Sequence, residues 1–164
     1  RFPIGAIKDG TLSSDCNLGL SIVPSSLMLD FMKIDSNNVL FPLLNIQKSC
    51  FRRLSVEDIM TWQKSELTNS LLKMEQEFDK QTSMQMFRNL LSYMKDRDSS
   101  KKPLSHASKY IRMVKASNPI LRDEAYLQIY KQLHKNKKRE SLLRGWKFLA
   151  ILSSCFIPNN KDIY

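Results

Sequence analysis

Leu121, Ala125, Ile129 and Leu133 recur at strict four-residue spacing, a period that a helix can bury along one side, while Asp123 and Lys131 two residues on break the period-two apolar alternation of a strand. Asp123 and Glu124 fall in the first turns of that helix, where the backbone dipole favours negative charge, and Lys131 and Lys135 lie near its other end. The spacing predicts a helix over 120–135. A second stripe, Met84, Phe87, Leu90, Leu91 and Met94, follows a cap at Thr82 or Ser83. A third helix, from Ser105 to about Ala116, sets Ala107, Tyr110, Ile111 and Val114 on one side and Lys109, Arg112 and Lys115 on another. Pro119 fits a first helical turn, where its missing N–H leaves no bond unmade.

The last patterned stretch, Ser141 to about Ser153, is apolar nearly all round its axis through Leu142, Leu143, Trp146, Phe148, Leu149, Ile151 and Leu152. Such an element is expected at the centre of a bundle. A shorter helix, Val56 to Lys64, starts at a capping box made by Ser55 and Asp58, and the leucines of 67–74 reach from a connecting segment into the core. No segment alternates with period two over six or more residues, and no Asn-Gly or Asp-Gly pair lies between hydrophobic runs. The expected fold is therefore all-α: a compact helical bundle over 51–164, preceded by a weakly patterned extension or linker over 1–50. In that extension, prolines at 3, 24 and 42 interrupt any long helix, and only Leu27 to Ile34 has a short amphipathic pattern.

Composition removes several kinds of function. Four glycines among 164 residues assemble neither a Walker phosphate loop nor a dinucleotide G-x-G-x-x-G turn. The three cysteines, Cys16, Cys50 and Cys155, are odd in number and far apart, which points to a reducing compartment rather than a disulfide scaffold. They form no C-x-x-C pair, and His106 and His134 belong to different helices, so no metal site or cofactor is expected. The adjacent carboxylates of Arg122-Asp123-Glu124 point about 100° apart on a helix, which suits helix-start stabilisation and a salt bridge to Arg144 better than acid–base catalysis. His134 reads as a solvated or helix-capping residue, and Trp62 and Trp146 as core.

The formal net charge of +10 is uneven. Residues 1–82 carry nine Lys or Arg against ten Asp or Glu, whereas residues 83–164 carry seventeen against six. A field of that kind concentrates acidic partners and speeds encounter with them in a salt-dependent way. Lys131, Lys135, Lys137, Lys138 and Arg139, joined by Lys109, Arg112 and Lys115, are the expected basic face. Nucleic acid, anionic lipid and the acidic tails of tubulin would each satisfy such a face. Aromatic residues do not interleave with these cations, which disfavours nucleic acid.

Several stretches carry a family resemblance. Leu121-Arg122-Asp123-Glu124-Ala125-Tyr126-Leu127-Gln128-Ile129-Tyr130-Lys131-Gln132-Leu133, then Arg144-Gly145-Trp146-Lys147-Phe148-Leu149 and Cys155-Phe156-Ile157-Pro158, resemble the myosin tail homology 4 domain in order and spacing. Val56 to Lys64 with Ser70-Leu71-Leu72-Lys73 resembles its beginning, and Met86 to Met94 the following helix. The resemblance implies an all-helical, non-catalytic module from tails of unconventional myosins, a plant-type kinesin or some Rho-GTPase-activating proteins. It implies that such a module commonly precedes a FERM domain, with which it binds cargo peptides, and that it binds microtubules in the cytoplasm. It implies further helices after residue 164, so that 51–164 is expected to be truncated at its C-terminal end. Two functions follow as expectations: a basic dock for microtubules, or a structural spacer packed on a FERM domain.

Overall fold

The computed structural model describes residues 56–159. Five helices follow in chain order: α1 (Val56–Ile59), α2 (Glu77–Met94), α3 (Pro103–Ala116), α4 (Ile120–Leu133) and α5 (Arg139–Cys155). The four long ones alternate in direction. Asn89 of α2 meets His106 of α3 while Asp79 meets Asn118 just past α3, so these two run antiparallel. Ser83 faces Glu124 and Gln128, setting α4 parallel to α2. Tyr126 of α4 donates to the carbonyl of Phe156 beyond α5, while Gly145 near the start of α5 lies against Leu133, so α5 returns antiparallel to α4.

Local chemistry fixes most boundaries. Pro103 opens α3 at a position that needs no N–H, and Pro119 precedes α4 with helical backbone angles. Lys95 ends α2 in the left-handed region at φ 62°, its N–H directed at the Leu91 and Ser92 carbonyls that the finished helix leaves unpaired. α2 begins at Glu77, ahead of the cap expected at Thr82 or Ser83. Glu77 and Asp79 supply negative charge in its first turn, and Ser83 is buried inside the helix with its hydroxyl turned toward Glu124. α1 ends at Ile59, so residues 60–64 are not helical as the pattern had implied.

The core forms where the stripes meet. Phe87, Leu90, Leu91 and Met94 of α2 are wholly buried, as are Leu121, Ala125 and Ile129 of α4. Met84 stays half-exposed and Met86 takes the interior place. Phe148 of α5 sits between two tyrosine rings, 4.9 Å from Tyr93 and 5.0 Å edge-on from Tyr110. Leu67, Leu71 and Leu72 enter the same core from the segment between α1 and α2, as expected of its leucines, and Met74 joins them.

The central helix is α4, not α5. Buried residues surround α4, whereas α5 buries only Ser141, Gly145, Phe148 and Leu152 and leaves Leu143 and Ile151 exposed. Apolar content misled because α4 buries polar side chains that find hydrogen-bond partners inside the protein. Trp146 and Trp62 are correspondingly half-buried rather than enclosed.

Candidate partner-binding surface

Polar residues of α4 divide into those that hold the fold and those open to solvent. Glu124 belongs to the first group. Its Oε1 accepts hydrogen bonds from the Leu71 N–H at 3.0 Å, the Ser83 hydroxyl at 2.6 Å and the Gln128 amide at 3.0 Å, and Oε2 accepts from the Leu72 N–H at 2.8 Å. Burial raises its pKa even though all four donors favour the charged form. The expected salt bridge to Arg144 does not form. Arg144 reaches Glu140 and the Tyr93 carbonyl instead. Asp123 holds the chain after α5, accepting from the Asn159 N–H at 2.7 Å, and the Nε of neighbouring Arg122 is buried without a hydrogen-bond partner.

Lys131 is the clearest correction to the expected basic face. It is 1% exposed, and its ammonium donates to the carbonyls of Ile59 and Thr61, closing the end of α1 that has no helical N–H to offer. Burial lowers its pKa to about 8. His134 is buried too: it caps α4, its Nδ1 lies 3.2 Å from the Met60 carbonyl oxygen, and its own carbonyl accepts from the Trp62 N–H. Together with Glu124, these two side chains bind the segment between α1 and α2 onto α4.

The remaining expected cations form two groups. Lys135, Lys137 and Lys138 occupy the turn between α4 and α5 and Arg139 opens α5, at the end of the bundle where α2 finishes. Lys138 pairs there with Asp96 at 3.2 Å and lies 5.6 Å from the Trp62 ring centroid. Asp96 also accepts from Trp62 Nε1 at 3.0 Å and from Ser141 Oγ at 2.6 Å, which fixes this turn against the loop after α2. That loop supplies Lys95, Arg97, Lys101 and Lys102, so segments 95–102 and 135–140 together present eight cations against three carboxylates. Lys95 is bound to Glu140 and Arg97 to Glu66. Lys101, Lys102, Lys137 and Arg139 face no carboxylate among the described residues, and charge patterning alone did not single out Lys101 or Lys102.

The second group lies along α3. Lys109, Arg112 and Lys115 are exposed on a helix that contains no acidic residue. Lys115, near the far end of α3, is close to the opposite end of the bundle from Lys137. The eight expected residues therefore do not make one continuous face: Lys131 lies inside, four occupy the end turn or open α5 and three follow the side of α3. His106 is buried between Asn89 and Ser99 at 3.2 and 2.8 Å; burial, followed by the charges of Lys101, Arg97 and Lys109, lowers its pKa.

These features define an all-helical domain with an ordered polar interior and a cationic end. Residues 108–163 match the family model of the MyTH4 domain. Unconventional myosin-VIIb of Mus musculus is 41% identical over 64 residues, covering 38% of this chain and 3% of that protein. Kinesin-like protein KIN-14I of Oryza sativa subsp. japonica is 31% identical over 116 residues, covering 68% of this chain and 9% of that protein. The MyTH4-FERM MF1 domain of Dictyostelium discoideum myosin VII superposes with a TM-score of 0.64 at 26% identity, over 87% of this chain and 28% of that one. The human myosin 7b C-terminal MyTH4-FERM domain, solved in complex with a harmonin-a PDZ3 domain, gives 0.60 at 26% identity, over 79% and 26%. This chain carries a MyTH4 domain, the myosin tail homology 4 module. It spans only a small part of the motor proteins it matches.

Proposed function

We propose that this MyTH4 domain is a non-catalytic interaction module in the tail of a cytoplasmic, cytoskeleton-associated motor or adaptor. Its cationic end docks on the acidic surface of microtubules. The observation that carries this reading is the meeting of segments 95–102 and 135–140 at one end of the bundle, with Lys101, Lys102, Lys137 and Arg139 paired to no carboxylate among the described residues. Exposed lysines and arginines of this kind act mainly on encounter rate and register, so their effect is spread over several residues and weakens with salt. Likeness to a kinesin and to unconventional myosins supports the cytoskeletal setting.

Microtubule co-sedimentation tests the proposal. Lys137→Glu with Arg139→Glu is expected to weaken pelleting about tenfold or more at low salt, with an unchanged melting temperature because neither residue supports the fold. Unaltered pelleting would refute it. Lys138 is kept, since it is held by Asp96.

A second reading, a spacer packed on a FERM domain that completes a joint site for a cargo peptide, is favoured by α5. Leu143 and Ile151 are exposed there beside half-buried Leu142 and Leu149, and both solved relatives are MyTH4-FERM units. It predicts no filament binding by this chain alone and peptide binding by a longer chain that includes the FERM domain.

A further inference from the structure

The side of α3 holds a shallow depression of about 440 Å³, lined by Lys101, Leu104, Ser105, His106, Lys109 and Arg112; it takes in no residue of the turn between α4 and α5 and shares only Lys101 with the cationic end. Three of these residues are cations, and Leu104 stands 71% exposed beside them. No carboxylate among the described residues pairs with Lys101, Lys109 or Arg112, and α3 contributes none of its own. The charge in the depression is therefore uncompensated among the described residues.

We infer that this depression is a second docking site, for a short acidic protein segment that carries one bulky apolar side chain. Lys109 and Arg112 stand three residues apart on the helix, about 5 Å along the surface, a spacing that successive or alternate carboxylates of an extended peptide can match. Leu104 lies at the opposite side of Lys109, one helical turn and a residue away, where it would cover an apolar side chain between the flanking charges. The surface is concave and has a single exposed leucine, features that suit a peptide laid into it better than the plane of a membrane, which would call for a protruding apolar group. A polyglutamate tail would satisfy the cations and leave Leu104 in water. The expected occupant is thus an acidic motif interrupted by a leucine or phenylalanine, recognised by charge and by one apolar contact together.

The test uses the full 164-residue chain and two fluorescein-labelled decapeptides, one of glutamates only and one with a central Leu-Phe pair among glutamates. Fluorescence anisotropy is expected to give about tenfold tighter binding of the Leu-Phe peptide, a preference that Leu104→Ser abolishes. Lys109→Glu with Arg112→Glu is expected to abolish the preference for the Leu-Phe peptide, leaving both peptides at the weaker level of binding that the cationic end gives, whereas Lys137→Glu with Arg139→Glu leaves the preference intact. These residues are exposed, and matching thermal melts establish that the variants are folded. Equal binding of the two peptides, or indifference to Leu104→Ser, would overturn the inference. So would Leu104-dependent flotation with phosphatidylserine vesicles in the absence of peptide preference, which would make the surface a lipid dock. Because the preference is read against the 137 and 139 variant, the microtubule proposal can fail while this one stands, and the reverse.

Discussion

Removing the carboxylate of Glu124 would strand the N–H groups of Leu71 and Leu72 and the hydroxyl of Ser83 inside the protein, away from water. Glu124→Ala is expected to cost about 3 to 5 kcal/mol in urea denaturation, since buried donors left unpaired each cost one or more. A loss below about 1 kcal/mol would mean that water reaches this cluster. Its pH dependence has a definite sign. Because the folded carboxyl holds its proton to higher pH than the unfolded one, its contribution is fully present below 4.5 and is lost as pH rises through the raised folded value. Lys131 works the other way at the alkaline end. Its folded pKa of about 8 lies below the ordinary 10.5, so the unfolded chain binds the extra proton and stability rises between those values. The difference in unfolding free energy between the natural protein and Lys131→Met is expected to grow by up to about 3 kcal/mol across that window. A flat difference would show that the ammonium is solvated.

At the scale of elements, the relation of α4 to α5 shows what a sequence pattern can and cannot tell. The four-residue spacing of Leu121, Ala125, Ile129 and Leu133 correctly marked an interior side because those residues carry no polar atoms to complicate it. The rest of α4 was illegible: Glu124, Gln128 and Lys131 resemble a solvated face until their partners from 59–83, distant in sequence, are in place. α5 erred in the opposite direction. Its apolar residues run all round, yet the bundle covers one side, and packing depends on Gly145, where an added Cβ would lie 2.8 Å from Leu133 and 2.9 Å from Met94. Gly145→Leu is expected to destabilise by about 2 to 3 kcal/mol through overpacking, measured by thermal or urea unfolding. Phe148→Ala is expected to cost about 3 to 5 kcal/mol and Trp146→Ala clearly less, because only the phenylalanine is enclosed on all sides. Equal losses at the two positions would contradict the outward placement of Trp146.

For the whole molecule, the distribution of charge matters more than its total. The second half of the chain holds the positive excess, as composition indicated, but folding sorts those cations into three fates that no count reveals. Lys131 becomes a buried tie, Lys138, Lys95 and Arg97 are spent on Asp96, Glu140 and Glu66, and Lys101, Lys102, Lys137 and Arg139 face no described carboxylate at one end. Helix order and direction bring the loop after α2 beside the turn after α4, an adjacency that linear spacing does not display. The family resemblance covered the same helices and gave the right fold, while the division of labour among the lysines required the packed chain.

On the proposed reading, this end of the bundle engages an acidic filament through several cations, unpaired among the described residues, that act together. Co-sedimentation of the chain with microtubules over a salt series from about 50 to 300 mM reads that directly, because screening lengths shorten across this range. Affinity is expected to fall steeply and continuously with salt, with a shallower dependence for Lys137→Glu with Arg139→Glu. Pelleting that is the same at both ends of the series and in both proteins would contradict it.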